Sequence, residues 1–267
     1  MEHTLKAKNI VSGYNENKIV DDVTIDIPSG KISVILGSNG SGKSTLLKTI
    51  IRLIKPMGGH IELDGKEISK IHTKTLARVI GLLPQTPIMP GAVSITELVS
   101  RGRYPHRSFM GGWKQEDTEA VANAIEMMGL KALADKNIDE LSGGQRQRAW
   151  IAMALAQDTD ILFLDEPTTY LDITHQIEIL DLLVDLNKQK QTTIVMVLHD
   201  INLAARYAHH LFAMKKGKLI TQGAPDEILT EEMIKQVFDL ECLVIKDPIT
   251  QTPLLIPKGR HLGYTRG

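Results

Sequence analysis

Four short runs in the chain are apolar at almost every position. They cover residues 32–36, 79–83, 161–164 and 193–198. An apolar run without polar alternation predicts a strand buried on both faces, which is typical of a mainly parallel sheet covered by helices. The pattern therefore predicts an α/β fold.

In other segments the apolar residues recur at a different spacing. Stronger alternation, which predicts a small antiparallel edge sheet, occurs at residues 5–10, 23–27 and 60–64. From about residue 94 to residue 157 the spacing of apolar positions is helical, most clearly in residues 118–128 and 145–156. We interpret this stretch as a helical subdomain inserted into the sheet domain.

Composition narrows the functional classes. The 31 lysines and arginines nearly balance the 32 aspartates and glutamates, so no global basic field marks a nucleic-acid or lipid surface. Cys242 is the only cysteine, which excludes an intrachain disulfide and fits the cytoplasm. The chain start lacks a signal-peptide pattern, and no apolar run approaches the ~20 residues that span a bilayer. We therefore expect another protein to hold this chain at any membrane it serves.

A glycine-rich loop follows the first apolar run. Residues 37–44 match the pattern G-x-x-x-x-G-K-S/T and precede a helical run at residues 45–53. In such a loop, backbone N–H groups surround a di- or triphosphate at the positive end of a helix dipole. Lys43 would neutralise phosphate oxygens, and the Ser44 hydroxyl would bind Mg²⁺. The predicted nucleotide-binding residues of the loop are Gly37, Ser38, Asn39, Gly40, Ser41, Gly42, Lys43, Ser44 and Thr45.

Two carboxylates follow the apolar run at residues 161–164, at the carboxyl end of a predicted strand, where open α/β sheets bind ligands. Asp165 is suited to hold Mg²⁺, and Glu166 to polarise the attacking water in phosphoryl transfer. His199 follows the run at residues 193–198 and could contact the γ-phosphate. An apolar strand ending in Asp-Glu is common, and a single histidine is usually structural. The phosphate loop favours the functional interpretation of all three.

A second anion site is predicted at the start of a helix. Ser142 is a typical N-cap residue, and Gly143 and Gly144 expose the backbone N–H groups of the first turn. Gln145 continues the motif. A single chain would therefore hold two phosphate-binding helix starts.

These motifs occur in the order of a known family. The phosphate loop, Gln85, the pentapeptide at residues 141–145, Asp165-Glu166 and His199 together resemble the ATP-binding cassette (ABC) ATPases. The resemblance covers nearly the whole chain. It implies a P-loop NTPase core, and ATP hydrolysis with Mg²⁺.

The resemblance also implies roles for particular residues. Two copies of the chain would form a homodimer, in which the signature residues Ser142, Gly143, Gly144 and Gln145 face the ATP on the partner's Lys43.

Further roles follow from the same resemblance. Gln85 would touch Mg²⁺ and couple the lobes during catalysis, and Tyr14 would stack on adenine. Residues 169–172 resemble a loop that contacts the partner, through Leu171 and Asp172.

One segment resembles a subgroup of the family. Residues 99–107 are similar to a segment in the cassettes of iron-siderophore, haem and cobalamin importers, and so is the tail. This likeness implies a homodimer docked on two integral-membrane permease subunits at the cytoplasmic face, with an extracytoplasmic substrate-binding protein and no nucleic acid. Arg101, Arg103 and Tyr104 are the predicted permease contacts, although a basic stretch is most often a solvated face.

A ferric siderophore is the expected cargo. A haem, cobalamin or other metal-complex importer remains an alternative, as does a soluble ABC ATPase without a transport role. We expect one ABC ATPase domain over residues 1–267. Its predicted parts are a nucleotide-binding core lobe at residues 1–85 and 158–222, a helical signature subdomain at 86–157, and a C-terminal extension at 223–267.

Overall fold

The apolar runs of the sequence form the strands of the main sheet. The structure is a computed structural model, which describes residues 2–85, 91, 93–107, 112–169 and 171–259. The strands are β1 (Leu5–Tyr14), β2 (Asn17–Ile27), β3 (Ile32–Gly37), β4 (Gly58–Leu63), β5 (Lys66–Glu67), β6 (Ile80–Leu83), β7 (Ile161–Asp165), β8 (Thr193–Val197), β9 (His210–Lys215), β10 (Lys218–Gly223), β11 (Cys242–Lys246) and β12 (Pro253–Pro257).

Helices connect these strands. They are α1 (Lys43–Ile50), α2 (Thr73–Val79), α3 (Ile95–Ser100), α4 (Gln115–Met127), α5 (Gly143–Ala156), α6 (Ile173–Lys190), α7 (Ile201–Tyr207), α8 (Pro225–Ile228) and α9 (Glu231–Phe238). In the part of the chain that the structure describes, no helix is both long and apolar enough to span a bilayer.

The main sheet has the strand order β10-β9-β3-β8-β7-β6. All neighbouring strands from β9 to β6 are parallel, and only β10 is antiparallel to its neighbour β9. Every residue of β3, β7 and β8 is buried, because helices cover one face of the sheet and α1 with the antiparallel sheet covers the other. The predicted mainly parallel sheet is confirmed.

Strand register brings the chemistry-bearing residues to one edge of this sheet. Ile35 pairs with Val197, and Val197 pairs in turn with Asp165. Strands β8 and β7 therefore end at the same level, and β3 ends two residues beyond it at Gly37. As a result, the loop after β3, the carboxylates at the end of β7 and the residues after β8 lie next to one another.

A second, antiparallel sheet has the order β2-β1-β4-β5 and confirms the predicted edge sheet. It shares one apolar cluster with α1 and the main sheet. Leu46, Leu47 and Ile50 of α1 are fully buried in this cluster, together with Ile10 of β1 and Phe163 of β7. The packing fixes α1, and hence the loop before it, relative to both sheets.

Between β6 and β7 the chain is helical. It forms α3, a 3₁₀ segment at Arg101–His106, and then α4 and α5. The helix predicted at residues 118–128 is α4, and the helix predicted at residues 145–156 is α5. Their buried apolar residues join the cluster on the other face of the main sheet. The exact division into lobes remains a prediction.

The C-terminal part consists of α8, α9 and the hairpin β11–β12. Residues 231–238, whose pattern in the sequence predicts a short helix, form α9. The hairpin is bound to α7 by a side chain: Asn202 Nδ2 donates to Leu255 O over 3.2 Å, and Leu255 N donates to Asn202 Oδ1 over 2.7 Å. Residues 260–267 of the predicted extension lie outside the described residues.

Candidate active site

The glycine-rich loop lies between β3 and α1, as predicted. Gly42 has φ 98° and is the N-cap of α1, a left-handed conformation that favours glycine. A Cβ at Gly37 would overlap the backbone carbonyl of Met214 on β9. The loop thus closes tightly against the sheet, and α1 begins with its N–H groups towards the loop.

The side chain of Lys43 is directed into this loop. Its Nζ donates to Gly37 O over 2.9 Å and to Ser38 O over 3.0 Å. Burial lowers the pKa of Lys43 from its usual value, while the carboxylates of Glu166 and Asp165 act in the opposite direction. The ammonium group is therefore held where the phosphates of a nucleotide would enter.

Ser44 and Asp165 form a set of oxygen ligands. Ser44 Oγ donates to Asp165 Oδ1 over 2.8 Å. The other carboxylate oxygen, Oδ2, is buried without a hydrogen-bond partner, and Lys48 Nζ lies 4.0 Å from it. Burial raises the pKa of Asp165 above its usual value, against the hydroxyl of Ser44 and the ammonium of Lys48. A hydroxyl beside a carboxylate with an unused oxygen fits Mg²⁺, which binds through few carboxylates together with substrate phosphates.

Glu166 is the centre of a second cluster. Gln85 Nε2 donates to Glu166 Oε2 over 2.7 Å, and Thr169 Oγ1 donates to the same oxygen over 3.0 Å. His199 Nε2 lies 2.7 Å from the other oxygen, Oε1. Gln85 and His199, which were predicted from separate motifs, therefore both contact Glu166. The sequence had not indicated the contact of Thr169 with Glu166, although threonine three residues after the glutamate was a possible signal.

These residues line an open cavity of about 590 Å³. Its lining residues are Ile19, Asn39, Gly40, Gly42, Lys43, Ser44, Thr45, Gln85, Glu166, Thr169 and His199. The apolar Ile19 on β2 was not predicted. Tyr14, the predicted adenine contact, is 46% exposed at the end of β1 and is not part of this lining, so its role remains a prediction.

The signature residues lie elsewhere. Ser142 is the N-cap of α5 in a reciprocal capping box: Gln145 N donates to Ser142 Oγ over 3.3 Å, and Ser142 N donates to Gln145 Oε1 over 3.2 Å. Ser142 and Gly143 are exposed, and a Cβ at Gly143 would meet no atom within 4 Å. None of the signature residues 142–145 lines the cavity of the same chain.

The signature helix is nevertheless connected to the acidic strand end. Gln147 Nε2 donates to Pro167 O over 2.8 Å. Pro167 directly follows Glu166, so the first turns of α5 are linked to the backbone beside the candidate catalytic carboxylate. Spacing along the sequence could not indicate this contact, because its two residues are far apart in the chain.

The predicted dimer loop is described only in part, because Tyr170 lies outside the described residues. Leu171 is half-buried, and Asp172 is the exposed N-cap of α6. His175 donates to Asp172 Oδ1 from its backbone N over 2.9 Å, and its Nδ1 lies 2.7 Å from the same oxygen. Hydrogen bonds from His175 hold the pKa of Asp172 below its usual value. The contact of this loop with a partner remains a prediction.

One predicted permease contact is wrong. Arg103 is only 7% exposed at its side chain, and its Nε donates to Asp117 Oδ1 over 2.9 Å. Its Nη1 donates to Ala156 O at the end of α5 over 2.8 Å. The guanidinium group of Arg103 therefore forms its hydrogen bonds inside the helical subdomain. Arg101 and Tyr104 are exposed, Tyr104 by 74%, and their contact with a permease remains a prediction.

A family model described as ABC transporter matches residues 20–169. Two bacterial relatives match almost the whole chain. The "Probable siderophore transport system ATP-binding protein YusV" of Bacillus subtilis (strain 168) is 51% identical over 96% of this chain and 93% of its own length. The "Ferric enterobactin transport ATP-binding protein FepC" of Escherichia coli (strain K12) is 50% identical over 96% and 94%.

Solved structures agree with these matches. The structure described as "An inward-facing conformation of a putative metal-chelate type ABC transporter" superposes with a TM-score of 0.83 at 29% identity, over 97% of this chain and 98% of that chain. The bacterial ABC transporter cassette MJ0796, in a dimeric structure, superposes with a TM-score of 0.73 at 30% identity, over 82% and 98%.

Proposed function

Because the chain belongs to the ABC transporter family and is an ATP-hydrolysing subunit, we propose that it powers the import of ferric siderophores. One observation carries the catalytic part of the proposal: Glu166 is held between Gln85, Thr169 and His199 at the cavity of the phosphate loop. A carboxylate in this position can orient and deprotonate a water molecule that attacks the terminal phosphate of ATP.

Each neighbouring group has a part in this reaction. Lys43 and the backbone N–H groups of the loop bind and neutralise the phosphates. Ser44, Asp165 and, through its carboxamide oxygen, Gln85 would hold Mg²⁺, which supplies charge neutralisation at the phosphate oxygens. His199 Nε2 holds Glu166 in orientation, and a contact of this nitrogen with the γ-phosphate would replace its contact with Glu166 when ATP binds. In phosphoryl transfer, this positioning and charge stabilisation is most of the protein's contribution.

A second copy of the chain completes the site. The exposed signature at Ser142 and Gly143 lies at a helix start that can bind anions, yet it does not line the cavity of its own chain. A head-to-tail homodimer brings each signature over the partner's phosphate loop. The dimeric structure of the related cassette MJ0796 supports this arrangement.

Mixed dimers should reveal the shared sites. Lys43→Ala damages the loop and Ser142→Arg damages the signature, so neither variant alone should form dimers that retain ATP. A mixture should form heterodimers that retain ATP, because one composite site keeps an intact loop and an intact signature. The measurement is chemical crosslinking with and without ATP, together with the ATP content of the crosslinked species.

One bound ATP per crosslinked heterodimer is the expected result. The unmixed variants serve as controls. If crosslinked dimers of the mixture retain no more ATP than those of the unmixed variants, the sites are not shared between copies.

The proposal also includes the cargo of the transporter and the membrane partners of this chain. YusV and FepC are described as ATP-binding proteins of siderophore and ferric enterobactin transport. Their similarity over nearly the full chain supports a role at the cytoplasmic face of the membrane, beneath two permease subunits that receive cargo from an external binding protein. Exposed Tyr104 and Arg101 are the proposed contacts with the permease.

Uptake of radiolabelled iron tests the cargo. Cells that lack this chain should lose uptake of a ferric siderophore, and the wild-type chain should restore it. The Glu166→Gln variant should not restore it, because transport requires ATP turnover. Permease subunits should also copurify with the wild-type chain from membranes. Normal siderophore uptake in cells without the chain, together with a loss of haem or cobalamin uptake, would contradict the siderophore assignment.

A further inference from the structure

The hairpin β11–β12 has an aliphatic surface on its outer side. Leu243 lies opposite Ile256, and Ile245 lies opposite Leu254, so these four side chains share one side of the hairpin. Leu243, Ile245 and Ile256 are 44%, 40% and 42% exposed. We call these four residues the hairpin face. An antiparallel pair that packs one side on a core usually has polar residues on the other.

The inner side of the hairpin fixes this orientation. Val244 and Leu255 pack against the main apolar cluster, which also includes the buried Cys242. The two hydrogen bonds between Asn202 and the backbone of Leu255 attach β12 to α7. The hairpin face therefore cannot turn inwards without loss of this packing, and it needs a partner from outside to be covered.

A membrane surface is a poor partner for the hairpin face. Segments that bind lipid surfaces combine an apolar side with basic residues around it. The one basic residue of the two strands, Lys246, is paired with Asp226 at 3.5 Å. The proposed permease contacts lie in the helical subdomain, whereas the hairpin packs on α7. A copy of the same uncharged face, by contrast, offers apolar contact without charge repulsion.

The position of the hairpin favours a second copy of the chain. Asn202, its anchor on α7, comes three residues after His199 of the ATP cavity, and three residues span at most about 11 Å. The hairpin is thus anchored near the cavity that a second copy is proposed to cover. A symmetric dimer brings identical surfaces together around its two-fold axis.

We propose that the hairpin faces of two copies pack against each other and keep the dimer together between cycles of ATP binding. This proposal rests on the homodimer of the proposed function, and it adds a contact that does not depend on nucleotide. The composite ATP sites would open and close while the hairpins remain paired. The partner of the hairpin face is therefore a second copy of this chain.

Engineered cysteines provide the first test. The native Cys242 is only 2% exposed, so the chain offers a low background for thiol crosslinking. Leu243→Cys and Ile256→Cys chains, alone and mixed, should form covalent dimers on mild oxidation without nucleotide. Lys66→Cys, at an exposed position of β5, is the control and should form no covalent dimer under the same conditions. If none of the hairpin variants crosslinks more than the control, the proposal is overturned.

A charged hairpin face provides the second test. The double variant Leu243→Asp/Ile256→Asp should weaken nucleotide-free association of the full chain by roughly tenfold or more, because carboxylates would enter an apolar contact. Sedimentation measures the association, while circular dichroism and ATP binding per chain verify the fold. Unchanged association, including the case in which copurification with a permease is lost instead, would overturn the proposal.

The tests of the hairpin contact and the tests of the proposed function can fail independently. ATP turnover and iron uptake by the wild-type chain test the proposed function whatever the hairpins do. A wild-type chain that hydrolyses ATP and supports uptake, but whose association is insensitive to the aspartates, would overturn only the hairpin contact.

Discussion

Replacing Glu166 by glutamine is expected to lower ATP turnover by about 10²–10⁴-fold, the usual contribution of a positioned general base. Glutamine has the same shape and can still accept a hydrogen bond from Gln85 or Thr169, so the cluster should keep its geometry. It cannot take a proton from water. ATP binding should persist, because Lys43 and Ser44 are unchanged and a negative charge near the triphosphate has been removed.

The measurement compares steady-state phosphate release with ATP binding at equilibrium. The variant should accumulate as an ATP-bound dimer, detected as ATP that elutes together with the dimer in size-exclusion chromatography. Glu232→Gln, an exposed site on α9, is the matched control and should hydrolyse ATP at the wild-type rate. Wild-type turnover in the Glu166→Gln variant would contradict the assignment of the general base.

Replacing Asp117 by alanine is expected to lower the free energy of unfolding by about 3–5 kcal/mol. The substitution leaves the guanidinium of Arg103 buried without its carboxylate, and an uncompensated buried charge is costly. It also removes the acceptor for Lys114 N at the start of α4. Denaturant unfolding of the full chain measures the change.

Two further variants separate this effect from a general loss of charge. Arg103→Met combined with Asp117→Leu removes both buried charges, and should recover most of the stability. Lys131→Ala breaks a pair with Glu126 in which both side chains are exposed, and should change stability by less than about 1 kcal/mol. Equal stability of Asp117→Ala and wild type would show that the buried pair is not needed.

Much of the fold could be predicted because its signals are local. A buried parallel strand reads as an apolar run, and β3, β7 and β8 appear where those runs lie. The phosphate loop is also local, since glycine is needed where the backbone turns left-handed before α1. Strands β9 and β10 were not predicted. The sequence of β9 begins with a histidine and ends with a lysine, and β10 is half-exposed, so neither forms a continuous apolar run.

Contacts between distant residues account for what the sequence could not predict. Arg103 belongs to a basic stretch of the kind that is usually solvated, and its burial depends on Asp117 and the end of α5. The hydrogen bond of Gln147 to the residue after Glu166 likewise exists only once α5 packs beside β7. In both cases the residue type was visible in the sequence, but the partner was set by tertiary packing.

The backbone at Glu166 links catalysis to folding. This residue has φ 57°, in the left-handed region that side chains rarely adopt, at a cost on the order of 1 kcal/mol or more. Glycine would relax the backbone there, but it would remove the carboxylate. A sequence that removes this backbone strain is therefore an inactive one. Hydrogen bonds from Gln85 and Thr169 offset part of the strain, so the same contacts that aim the carboxylate also help the chain to tolerate it.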